Sequence, residues 1–173
     1  VIFLGTGNQP KAVVDSGLKL AHIAKLVRGE RYRSELLNTI MFGAYNKRIK
    51  DNRTANDWLT KDTKIVDEYL SDPKCSYKFT ANAYIGFLNV IKYDIDKKNI
   101  AKTPDKLPVL FASGLEDPVG DYGKGVKKAF KMYTKYVDNV ELYLYEDDRH
   151  ELHSETDRED IFSDLYEWIE ENV

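Results

Sequence analysis

Apolar positions along this chain follow two different periods, and the switch between them outlines its elements. The chain opens on Val1-Ile2-Phe3-Leu4, closed by Gly5-Thr6-Gly7-Asn8, which predicts a short buried strand ending in a glycine-rich turn. From about residue 11 to residue 98 the pattern is helical. Val13, Leu20, Ala24 and Val27 form one stripe, and Leu36, Leu37, Ile40 and Met41 a second. Ile65, Val66, Tyr69 and Leu70 form a third, stopped by Asp72-Pro73 because proline cannot continue a helix. Ala83, Tyr84, Phe87, Leu88 and Ile91 form a fourth, while the polar stretch between residues 43 and 60 predicts mostly loop.

The remainder alternates strand and helix. A continuous apolar run predicts a strand over 107–113, followed by a helix with Tyr122, Val126, Ala129, Phe130, Tyr133 and Val137 on one face. A second strand is predicted over 140–145. A last helix is expected from Thr156, where Thr156-x-x-Glu159 fits a capping box, with Ile161, Leu165, Trp168 and Ile169 buried. Strand–helix–strand–helix is the signature of parallel-sheet units, so the fold class is α/β. Right-handed crossovers would set the three strands side by side with their C-terminal ends on one edge, where open α/β sheets carry their sites. The chain divides into residues 1–10 (strand and turn), 11–98 (helical region) and 99–173 (strand–helix units).

Composition narrows the function classes. The formal net charge is −3, from 26 basic and 29 acidic side chains, which disfavours a dedicated nucleic-acid binder. No apolar run approaches the ~18 residues of a membrane span, so no integral membrane segment is expected. Cys75 is the single cysteine, which permits no intramolecular disulfide and fits a reducing, cytoplasmic setting. His22, His150, His153 and Cys75 make no recognised ligand spacing, so neither a metal nor another cofactor is expected. No oligomeric state is implied.

The candidate chemistry sits just past the two later strands. Ser113-Gly114-Leu115-Glu116-Asp117 puts an acid after the first, and Asp148-Arg149-His150-Glu151 puts a histidine after the second. Histidine, with an ordinary pKa of about 6.5, suits proton transfer at neutral pH, and a buried carboxylate would fix its tautomer. This is the acid and base half of a hydrolytic triad. Taken alone, His150 also reads as a solvated loop residue and Asp117 as a turn residue before Pro118. Glu116 reads as a rim carboxylate or a group behind the acid, His153 as a surface group or one behind the histidine, His22 as a partly buried helix residue, and Asp148 with Arg149 as a solvated pair or as groups that position the histidine loop. The nucleophile half is missing: no Gly-x-Ser-x-Gly occurs, and neither Ser16 nor Ser113 sits in a strand–turn–helix elbow. Gly5-Thr6-Gly7 lacks the third glycine of a dinucleotide fingerprint.

These stretches resemble a known family. The sequence is similar to α/β-hydrolases of the monoacylglycerol lipase and lysophospholipase type, the serine aminopeptidase-like hydrolases. Ser113 to Gly120 resembles the family's acid loop and Asp148 to Glu151 its histidine loop. Asp57 to Asp62, with Asp72 to Cys75 and Phe79-Thr80, resembles its helical cap, and Val1 to Gly7 the strand after the nucleophile's helix. The resemblance implies that Asp117 is the triad acid and His150 the general base. It makes residues 11–98 a cap and 99–173 the C-terminal part of the hydrolase core. The serine would then lie in an N-terminal part of the hydrolase upstream of Val1, so the chain is expected to be the C-terminal portion of a larger protein.

The implied reaction is hydrolysis of a small-molecule acyl ester through an acyl-serine intermediate, with monoacylglycerols or lysophospholipids as substrates. Aromatics of the helical region, among them Tyr32, Phe42, Tyr45 and Phe79, would pack its core and line an apolar tunnel; Trp58, Tyr84 and Phe87, together with Gly5, are the substrate-binding candidates. Two alternatives stand beside this reading: a peptidase or amidase on the same fold, and a non-catalytic fragment or binding protein. Alone, the chain would expose a sheet edge at Val1 to Leu4 and is expected to aggregate.

Overall fold

The computed structural model describes residues 1–172. Three strands, β1 (Ile2–Leu4), β2 (Val109–Gly114) and β3 (Val140–Tyr145), form a parallel sheet in the order β1-β2-β3. Phe3 pairs with Phe111, and Phe111 with Leu142. The strand expected over 107–113 therefore begins and ends slightly later, and its C-terminal end is Gly114.

Every residue of β2 is buried, as expected of a central parallel strand covered on both faces. Its alternate side chains separate two cores. Val109 and Phe111 meet Val126 and Ala129 of α6 (Lys124–Tyr133), with Phe3, Tyr133 and Val137. Leu110 and Ala112 meet Ile161, Leu165 and Trp168 of α7 (Arg158–Asn172), with Leu152. The β2–β3 crossover helix α6 thus covers one face, and α7, which follows β3, covers the other.

Between β1 and β2 lie α1 (Lys11–Arg28), α2 (Glu35–Phe42), α3 (Thr63–Ser71), α4 (Ala81–Asp94) and the short α5 (Lys97–Ile100). Side chains cap four of them: Ser34 accepts from the Leu37 N–H, Asp62 from those of Lys64 and Ile65, Thr80 from that of Ala83, and Asp96 from that of Lys98. Helix α3 ends at Ser71, before Pro73, as the sequence pattern requires. Their core joins α1 to α4 and α2 through Val14, Leu18 and Leu88, continued by Ala21, Leu37 and Tyr84. Among the described residues, no helix is long and apolar enough to cross a membrane.

Several expectations are corrected. The buried face of α1 is Val14, Gly17, Leu18 and Ala21, whereas Val13, Leu20 and Val27 are exposed and so is His22. This helix carries two apolar stripes, and the partner α4 selects the one with the smaller residues. Tyr122 lies outside α6, in a left-handed turn where Asp121, Tyr122 and Gly123 all have positive φ. Helix α7 begins at Arg158, close to the start expected near Thr156.

Candidate active site

Two loops leave adjacent strand ends of the sheet and meet. One runs from Gly114 to Gly120, the other from Glu146 to Glu151. Their approach is close: the Glu116 N–H donates to the Asp148 carbonyl at 2.8 Å, and a Cβ at Gly114 would strike that same carbonyl. Asp117, at 0% exposure, lies with Oδ2 3.1 Å from His150 Nδ1. Its Oδ1 accepts the Val119 N–H at 2.7 Å, which fixes the carboxylate's rotation. The His150 side chain keeps 27% exposure, so the imidazole is partly open to solvent.

Gly5 reaches the same place from the end of β1. It is buried, has φ +60°, and its N–H donates to the Ala112 carbonyl at 2.9 Å. The structure puts it directly against the backbone and ring of His150.

An aromatic series runs outward from His150. The Trp58 ring lies 5.2 Å from the imidazole, Tyr45 lies edge-on to Trp58 at 4.8 Å, and Phe42 stacks on Trp58 at 6.4 Å. Burial, and secondarily the Asp117 carboxylate, push the Tyr45 phenol up. Of the four substrate-binding candidates, Gly5 and Trp58 thus converge on His150. Tyr84 is fully buried in the helical core, where its hydroxyl donates to Asn38 at 3.2 Å, and burial pushes its phenol up to about 12. It touches the series only through Phe42, at 6.5 Å. Phe87 is partly exposed and packs on Phe79.

The segment from Asp57 to Lys61 is a strap across the histidine loop. Asp57 is fixed by the N–H groups of Arg53 and Thr54 and by the Thr54 hydroxyl. Burial pushes its carboxyl up, and these donors more than offset that, holding it below the usual carboxylate range. The Glu151 N–H donates to the Leu59 carbonyl at 2.8 Å and the His150 N–H to the Trp58 carbonyl at 3.4 Å. Arg149 Nη1 donates to the carbonyls of Asp57 and Thr60, at 2.8 and 3.1 Å. Arg48, on the 3₁₀ turn Tyr45–Arg48, lies 3.6 Å over the Tyr122 ring and ties the helical segment to the acid loop as well.

Asp148 and Arg149 are therefore not a solvated pair. Asp148 is 1% exposed, and Lys61 Nζ stands 2.9 Å from its Oδ1 as an ion pair without hydrogen-bond alignment. Burial outweighs that attraction and pushes the Asp148 carboxyl up. Glu116 is exposed, 3.5 Å from Arg149 Nε, and His153 is exposed too. Ser113 is buried with its hydroxyl on the Gly114 carbonyl, and Ser16 is exposed on α1 with its hydroxyl on the Ala12 carbonyl. Cys75 is half-buried. No group of His, Cys, Asp and Glu able to hold a metal ion occurs among the described residues.

A parallel sheet with helices on both faces, bringing an acid and a histidine together at one edge, defines the α/β-hydrolase class. The chain belongs to the serine aminopeptidase S33 family, whose sequence model matches residues 12–157. Solved structures agree on the fold. A thermostable carboxyl esterase from Bacillus coagulans superposes with a TM-score of 0.88 at 23% identity, over 99% of this chain and 56% of its own. A lipase in its open form gives 0.80 at 26% identity, over 98% and 56%. A soluble variant of the monoglyceride lipase from Saccharomyces cerevisiae, in complex with a substrate analogue, gives 0.67 at 20% identity, over 99% and 55%. The chain thus spans little more than half the length of these structures. No curated protein sequence matches it significantly.

Proposed function

We propose that the complete protein is a serine hydrolase that cleaves carboxylic esters, lipid-like monoesters of the monoacylglycerol or lysophospholipid class. The observation that carries this reading is the 3.1 Å contact between the buried Asp117 carboxylate and His150 Nδ1 at one sheet edge. With Nδ1 protonated and held by Asp117, Nε2 is the basic nitrogen. It takes the proton of a serine hydroxyl as the oxygen attacks the ester carbonyl. It then returns that proton to the leaving alcohol, and the acyl-serine is hydrolysed by water through the same steps. Asp117 orients the ring and stabilises the imidazolium. The nucleophilic serine lies upstream of Val1, and residues 11–98 act as the cap.

Trp58, with Tyr45 and Phe42 behind it, offers an apolar wall beside the imidazole, suited to an acyl chain. The names of the similar structures, a carboxyl esterase and two lipases, favour an ester. The family's name, serine aminopeptidase, favours an amide as the second reading. Reaction of the complete protein with a fluorophosphonate, read by intact mass, tests the mechanism; a panel of monoacyl esters against aminoacyl amides tests the substrate. An adduct with ester turnover is expected. An unlabelled protein overturns the hydrolase reading, and amide turnover without ester turnover overturns the ester.

A further inference from the structure

Glu155 is a buried carboxylate that the proposed reaction leaves unused. It is 0% exposed, and both of its oxygens are engaged. Oε1 accepts the N–H of Arg149 at 2.8 Å. Oε2 accepts the N–H of Lys61 at 3.0 Å and faces the Thr60 hydroxyl at 3.1 Å, a hydroxyl that also lies 2.8 Å from the Ser154 carbonyl. Arg149 is the residue before His150, and Thr60 and Lys61 end the strap that carries Trp58. One side chain thus grips the histidine loop with one oxygen and the strap with the other.

Neither partner is held by regular structure. Strand β3 ends at Tyr145, so no sheet ladder reaches the histidine, and the strap belongs to no helix or strand. Asp117 fixes the ring only at Nδ1, and the bond from the His150 N–H itself to Trp58 is long at 3.4 Å, beside the 2.8 Å bond from the Glu151 N–H to Leu59 and those of the Arg149 guanidinium. A buried carboxylate is a costly way to fill space, because the charged form loses its hydration. Here burial pushes the carboxyl up against the opposing pull of its N–H and hydroxyl donors. Those donors come from the two segments that frame the imidazole.

We infer that Glu155 is a positioning residue for His150: its carboxylate locks the histidine loop to the Trp58 strap, so that the imidazole and the apolar wall keep one geometry. The inference rests on the reading of His150 as the general base. It adds a group 95 positions from Thr60 in sequence that sets the base's place through the backbone. Glu155→Gln keeps the shape but turns an N–H₂ toward one of the backbone donors, so either the loop or the strap loses its anchor.

The test uses the complete protein with Glu155→Gln and Thr60→Val. The readouts are the rate of phosphonylation by a fluorophosphonate per folded molecule, its pH profile, and amide hydrogen exchange. Glu155→Gln is expected to slow phosphonylation on the order of 10- to 100-fold, the scale of effect of a misplaced catalytic group, and to move the profile's midpoint. Thr60→Val, which removes one donor, is expected to do the same more weakly. Exchange at His150 and Glu151 should quicken while that at Phe111 and Leu142 does not. A wild-type phosphonylation rate per folded molecule with an unmoved midpoint in Glu155→Gln overturns the inference; should that variant not fold, the same result in Thr60→Val does so. A wild-type protein that does not react at all fails the hydrolase reading instead. The exchange then decides the coupling alone, since uniform or unchanged exchange overturns it and selective loosening upholds it.

Discussion

Gly5 and His150 are in contact across the sheet edge: a Cβ at Gly5 would stand 2.7 Å from the His150 carbonyl oxygen and 2.9 Å from its Nδ1. The first strand of the chain therefore sets how far the histidine loop can descend, and only glycine leaves room. Gly5→Ala adds a left-handed backbone penalty of roughly 1–2 kcal/mol to that clash. We expect a lower melting temperature and a further loss of fluorophosphonate labelling per folded molecule. Labelling at the wild-type rate would show that His150 accommodates the methyl group without leaving its place.

Asp117→Asn tests the acid. The Val119 N–H can still find the amide oxygen, so the loop should survive. The amide N–H₂ cannot accept from Nδ1, and the imidazole turns to the wrong tautomer. Ester turnover is expected to fall by about 10³- to 10⁴-fold with little change in melting temperature. A variant that folds and keeps turnover within tenfold would remove Asp117 from the mechanism.

Trp58→Ala tests the wall. The ring touches His150, Tyr45 and Phe42, and aromatic pairs of this kind contribute about 0.5–1.5 kcal/mol each beyond burial. For long-chain esters KM should rise roughly 3- to 10-fold from the loss of one such contact, while a short acetate ester changes little. Equal losses on both substrates would place Trp58 in support of the histidine loop rather than beside the acyl chain.

Asp148→Asn tests the buried charge under the histidine loop. The folded protein raises this carboxyl above its ordinary value through burial, against the Lys61 attraction. Between the unfolded and folded pKa values the native state binds more protons than the unfolded one, so wild-type stability falls as pH rises through that window. Asparagine has no such titration. The melting temperature of Asp148→Asn relative to wild type should therefore increase from pH 4 to pH 7. A difference that stays flat or shrinks would show that Lys61 fully compensates the charge.

The parallel strands, the flanking helices and the acid–histidine pair were legible in the sequence because they rest on local signals. β2 is a continuous apolar run, α6 and α7 present apolar residues at helical spacing, and Asp117 and His150 each follow a strand end by a few residues. Adjacency of parallel strands then forces the two loops together. The buried face of α1 was not legible, since both of its stripes are apolar and only packing against α4 chooses between them.

Sequence by itself determined which residues could perform acid–base chemistry and on which sheet edge they would meet, because strand order and crossover hand leave little freedom there. Tertiary structure alone decided what holds them. The stretch from Asp57 to Thr60 falls in a segment that reads as polar loop, Asp148 and Arg149 read as a solvated pair, and no sequence pattern marks Glu155. Arg149 and Glu155 are held by backbone carbonyls and N–H groups of segments some 90 positions apart, as between Arg149 and Thr60. Such groups are the same in every residue and leave no mark in the side-chain pattern.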